Sequence, residues 1–140
     1  MKLSDRVEAL AGDIGPFNPI REDIARAIGW RFVREGHPIG CVWYDPDGRA
    51  RALPDWPADL NAAMSLVPEG WDWLSRSDEA GAFANVSRPD ATNFSRLYPA
   101  GTMPEPEVVD ALGRAQGHNY ARSATPALAL LAAALRARGL

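Results

Sequence analysis

Residues 124–137, ATPALALLAAALRA, decide how this chain folds. Thr125 suits an N-cap, because its hydroxyl can accept from a free N–H of the first turn, and Pro126 suits the first helical position, where a missing N–H costs nothing. Leu128, Leu131 and Leu135 then recur along one side, with alanines elsewhere. The apolar run is shorter than the roughly 20 residues of a membrane span, so it reads as a helix buried in a core. Its alanine faces allow close approach to a sheet, and the strands of that sheet have to be found upstream.

Three stretches supply them. In WDWLSRS, residues 71–77, side chains alternate, and AFANVS, residues 82–87, offers a partner across the turn-forming SDEAG. GHNYARS, residues 117–123, reads as a further short strand. Nearer the start, IGCVWYDPDGRARAL, residues 39–53, reads as another hairpin turning at Asp47-Gly48. Alternation there puts Ile39, Cys41 and Trp43 on one face and Val42 and Tyr44 on the other; both are apolar, as in a sheet covered on both sides.

The other helices are shorter. Ser4 is a candidate cap for a helix with Leu3, Val7 and Leu10 on one side, stopped by Gly12 or Gly15. In NPIREDIARAIGW, residues 18–30, Asn18 caps, Pro19 opens, and Ile20, Ile24 and Ile28 form a stripe ending at Gly29. In PDWPADLNAAMSLVPEGWDW, residues 54–73, Leu60, Met64 and Val67 form a stripe before Pro68 and Gly70. The simplest packing lays this stripe over Trp71 and Trp73, which share a strand face, and leaves Trp56 at the surface. From Arg88 to Met103 the chain is loop-like, and PEPEVVDALGRAQ, residues 104–116, suggests a weak helix.

The length of 140 residues fits one domain, spanning 1–140, with a segment at 88–120 that reads as an insertion. The expected class is α+β, a three-layer α/β/α sandwich with a small, mostly antiparallel sheet. A hydrophobic fraction of 46% and a charged fraction of 24% belong to a folded chain rather than a disordered one.

Composition also excludes functions. With a net charge of −3, nonspecific nucleic-acid binding is not expected. Residues 111–140 hold four arginines and no acid, which reads as a solvated helix face. One cysteine, Cys41, forbids an internal disulfide, and with only His37 and His118 there is no zinc-ligand set. Asp5, Arg6 and Glu8 interrupt any signal-peptide core, so the expected location is cytoplasmic, with no membrane association.

The segments DIARAIGW (23–30), LNAAMSLVPEGWDW (60–73) and ATPALALLAAALRA (124–137) together resemble small proteins of bacteriophages and prophages of the α/β/α sandwich type. The resemblance covers most of the chain outside 88–120. It implies a phage-related origin and a layered fold. Gly70, Trp71, Trp73, Thr125 and Pro126 match it as turn, core and cap positions, and it supplies no catalytic residue.

Candidate sites are few. Asp45-Pro46-Asp47-Gly48 begins like a calcium loop but lacks the further ligands, and reads as a turn. His37, Cys41 and Asp45 are too far apart along an extended strand to form a nucleophile and base. His118 with Glu105, Glu107 and Asp110 offers acid–base groups without spacing that brings them together. The expectation is a non-enzymatic protein with no cofactor and no metal, working by binding a protein partner through Asp45, Asp47, Asp55, Trp56 and Asp59. Those acids suit a basic target, such as the nucleic-acid-binding surface of a host defence complex inhibited in the manner of an anti-CRISPR protein. The alternatives are a homo-oligomeric assembly protein, with a dimer completed by an edge strand or the C-terminal helix, and a small-ligand binder or enzyme using His118.

Overall fold

The computed structural model describes residues 1–10, 18–34, 42–91 and 117–140. Its elements are α1 (Leu3–Glu8), α2 (Ile20–Ala27), β1 (Arg31–Val33), β2 (Val42–Tyr44), α3 (Leu60–Met64), β3 (Asp72–Asp78), β4 (Gly81–Ser87), β5 (His118–Ser123) and α4 (Pro126–Ala137). The class is α+β with small antiparallel sheets. Cys41, His37, Glu105, Glu107 and Asp110 lie outside the described residues, as do Gly12, Gly15 and the weak helix expected at 104–116.

Helix α4 forms where its sequence places it. Thr125 Oγ1 accepts from Leu128 N at 3.2 Å and Pro126 opens the first turn. All residues from Ala127 to Leu135 are buried, because α4 has neighbours on several sides: β3, β4 and β5 beneath it, and α1 and α3 against its other flanks. Ala82, Ala84, Val86 and Ala121 form the small-residue floor that lets the helix lie close to the sheet.

The three-stranded sheet has the order β3-β4-β5, antiparallel throughout. A two-residue turn, Glu79-Ala80, joins β3 to β4, with Asp78 opposite Gly81 and Asp72 opposite Ser87. Strand β5 runs beside β4 with Ala84 opposite Ala121. The ladder continues past the strand ends, since Arg88 N donates to Gly117 O at 2.9 Å. His118–Tyr120, at the end of the segment set apart as an insertion, thus belong to β5, while residues 92–116 lie outside the described residues. The central strand β4 is buried on both faces, and Phe83, Asn85, His118 and Tyr120 fill the one turned away from α4.

Within the described residues 42–53 the expected hairpin forms only in part. The turn at 45–48 forms, but the returning arm makes a single bridge, Tyr44 to Ala50. The ladder partner of β2 is instead β1, with Phe32 opposite Trp43. These rings pack at 5.1 Å, and Arg26 lies over Trp43 at 5.4 Å.

Two expectations fail around α3. Its helix is only five residues long, and Ala63 and Leu66 face inward while Leu60 and Met64 are exposed. The stripe therefore cannot cover Trp71 and Trp73. Trp73 is 40% exposed and Trp71 only partly buried. Helix α4 already occupies that side of the sheet, so α3 packs on α4 rather than on the tryptophans. Helix α1 also differs in detail: Lys2 precedes it without a side-chain cap, and Ser4 is buried inside it.

Candidate partner-binding site

Backbone punctuation builds the site. Helix α2 starts with Asn18 Oδ1 accepting from Ile20 N at 3.0 Å, and Ile20 and Ile24 are buried. At its other end Gly29 adopts φ +100°, which L side chains rarely do, so that Gly29 N reaches Arg26 O and Trp30 N reaches Ala25 O at 2.9 Å. This closure turns Trp30 into the interior. There its ring meets Trp56 edge-to-face at 5.9 Å and 89°, a geometry that sets the positive ring edge against the negative face. Arg21 donates to Leu53 O at 2.7 Å and to Pro54 O at 3.3 Å, tying the segment before Trp56 to α2.

Asp45 organises the opposite wall. Pro46 and Gly48 give a tight turn, with Gly48 at φ +85° and its N–H on Asp45 O at 2.9 Å. Asp45 Oδ1 accepts from Asp47 N at 3.0 Å and Arg49 N at 2.9 Å, and Arg51 approaches Oδ2 at 3.5 Å. The Arg49 N–H is the main reason that this carboxyl titrates below its ordinary value; burial opposes it, and the Asp47 N–H and Arg51 guanidinium add to it. Arg51 also lies over Trp30 at 5.9 Å.

These walls enclose a cleft of about 290 Å³ lined by Trp30, Trp56, Asp45, Asp47, Arg51 and Arg138, among others. This volume lies at the lower end of the roughly 300–1,000 Å³ range of ligand pockets. Arg138 is held on the rim by Nε donating to Leu66 O at 2.7 Å. The lining carries both signs of charge.

Of the five residues singled out in the sequence, Asp45, Asp47 and Trp56 line this one cleft. Asp55 and Asp59 sit in the turn that carries Trp56, with Asp59 N on Asp55 O at 2.8 Å. Two of the five are not exposed as expected. Asp45 is 5% and Trp56 1% accessible, because the first is turned into its own turn and the second onto Trp30. Asp59 has a structural duty too, accepting from Asn61 N at 2.9 Å as the cap of α3. Asp47, Asp55 and Asp59 remain exposed. Trp30, Arg51 and Arg138 belong to the site although sequence reasoning passed over them. The Gly29 that ends α2 was visible, but nothing local tells that the next residue meets Trp56.

His118 lies elsewhere. It is 2% exposed, its Nδ1 is 3.0 Å from Asn85 Nδ2, and its ring stacks on Tyr120 at 5.5 Å. An imidazole so enclosed is part of a packed polar layer and presents no face to a substrate in solution. Among the described residues no group of three or more His, Cys, Asp or Glu side chains is placed to hold a metal ion, and no helix is long and apolar enough to cross a membrane.

Compared with protein-family profiles, curated proteins and solved structures, the chain matches none.

Proposed function

We propose that this chain is a non-enzymatic accessory protein of a phage or prophage that acts by binding another macromolecule. Its concrete form is a counter-defence inhibitor that occupies a basic, nucleic-acid-binding surface of a host complex in the bacterial cytoplasm. The observation that carries the reading is the grouping around one cleft: Asp47 on its rim and Asp55 and Asp59 in the adjoining turn are exposed, while Asp45 and Trp56 are committed to holding the walls. Exposed carboxylates on a rigid aromatic base steer a cationic partner and fix its register, and the cleft has room for one inserted side chain. The three-layer α/β/α arrangement belongs to the same proposal, supported by burial of the central strand β4 on both faces and by the sequence resemblance to phage sandwich proteins.

The test is to mix the purified chain with candidate defence complexes, and measure co-elution and inhibition of their nucleic-acid binding. Co-elution that weakens with rising salt is expected. Failure to co-elute with or inhibit any of them removes this version of the function.

A further inference from the structure

Around the cleft between Trp30 and Trp56 the hydrogen-bonding side chains are out of balance: donors outnumber acceptors. Trp56 is 1% accessible, and its indole Nε1, shut off from water, has no acceptor among the described residues. An indole N–H can only donate, and a buried donor without a partner is uncommon in folded proteins. Trp56 lines the cleft, so the deficit lies in its wall.

Two guanidinium groups line the same cleft. Arg138 commits Nε to Leu66 O at 2.7 Å, which fixes the plane of the group, and its two Nη atoms have no partner among the described residues. Arg51 lies over Trp30 at 5.9 Å and approaches Asp45 only to 3.5 Å, with 58% of its side chain exposed. A guanidinium carries five N–H donors and no acceptor, and most of theirs are uncommitted. The acids of the lining do not answer them. Asp45 commits Oδ1 to Asp47 N at 3.0 Å and to Arg49 N at 2.9 Å, while Asp47 is exposed and its carboxylate pairs with neither arginine. Ile28, Pro46, Pro54 and Leu66 make the rest of the wall largely apolar.

We infer that this cleft binds a carboxylate on a short apolar stem. An ionised carboxylate accepts at both oxygens and donates nowhere, which matches a seat with surplus donors. Arg51 and Arg138 hold the oxygens through charge-assisted bonds, a negative group seated beside Trp56 supplies what its N–H lacks, and the stem rests on the apolar wall. A neutral amide would bring an NH₂ group among donors. The two arginines and two aspartates of the lining balance, so the seat suits one added negative charge rather than the two of a phosphate. The same chemistry belongs to a small free carboxylic acid and to a glutamate side chain of a partner. The inference goes beyond the partner reading, which rests on the exposed acids, and either can fail without the other.

Titration of the full chain, followed by NMR at the Trp56 indole N–H, tests this. Butyrate presents a free acid, N-acetyl-glutamate methylamide presents the side chain within a peptide unit, and the matching glutamine compound carries no charge. The Trp56 signal should shift and saturate with at least one of the two carboxylates and stay in place with the glutamine compound. Saturation by butyrate alone assigns a free acid, and by the glutamate compound alone a partner's side chain; saturation by both shows that the carboxylate suffices. Arg51→Gln and Arg138→Gln, both at exposed positions, should each weaken binding roughly tenfold, the usual scale of a lost hydrogen bond between charged groups. Asp47→Lys, which weakens contact with a basic partner, should strengthen carboxylate binding, so the two readings separate. No shift with either carboxylate overturns the inference. So does a glutamine compound that binds as well as its glutamate counterpart, or binding that both arginine changes leave intact.

Discussion

Trp56 and Asp45 show how a residue that reads as surface becomes interior. Each stands among prolines and acids, where local composition signals a loop, and each is buried by a partner distant in sequence or by its own turn. Trp56 leans on Trp30, which only the closure at Gly29 brings near, and no local spacing announces that contact. Trp56→Ala removes a fully buried ring, so unfolding free energy from urea titration should fall by about 3–5 kcal/mol. Asp45 contributes through a carboxylate whose folded titration lies below its ordinary value of 3.8. Its contribution is therefore complete at neutral pH and is lost as pH falls below 3.8 and through the folded value. Asp45→Asn should lower the melting temperature at neutral pH and leave a smaller drop across that acid window than the unchanged chain shows. Equal acid-limb slopes in the two proteins would contradict the assignment.

Elements were legible where their signals are local and strong. The Thr125-Pro126 start of α4, the Ile20 and Ile24 stripe of α2 with its Asn18 cap, and the β3–β4 hairpin all carry their instructions within a few residues. Strand β5 was read at the right place for the same reason. Helix α3 was read at the right place but with the wrong face, because a five-residue helix has little more than one turn in which to hold a face, and its orientation is set by the side of α4 left open to it. Strand β1, only three residues long, owes its existence to β2 and has no signal of its own. Thr125→Ala should cost about 1 kcal/mol in chemical denaturation, the usual value of a lost cap. Glu8→Ala should accelerate hydrogen exchange at the Arg122 amide, because that N–H, on the outer edge of β5, donates to Glu8 Oε2 at 2.9 Å. Exchange there as slow as in the unchanged chain would show that the edge is guarded by something else.

For the whole molecule, the buried leucines of α4 join that helix to the sheet and to α1 and α3, and the recognition proposed above falls to exposed acids. Composition made the first half of that statement readable, since a leucine- and alanine-rich helix needs a sheet to cover. It revealed less of the second half, because placing Asp47, Asp55 and Asp59 around one cleft required the Trp30–Trp56 contact. The measurement closest to the central claim compares the unchanged chain with Asp47→Lys/Asp55→Lys/Asp59→Lys in co-elution with the same candidate defence complex, after a thermal melt has shown both folded. The account predicts that the unchanged chain binds and the charge-reversed one does not. Binding that survives the reversal at the same affinity would contradict it.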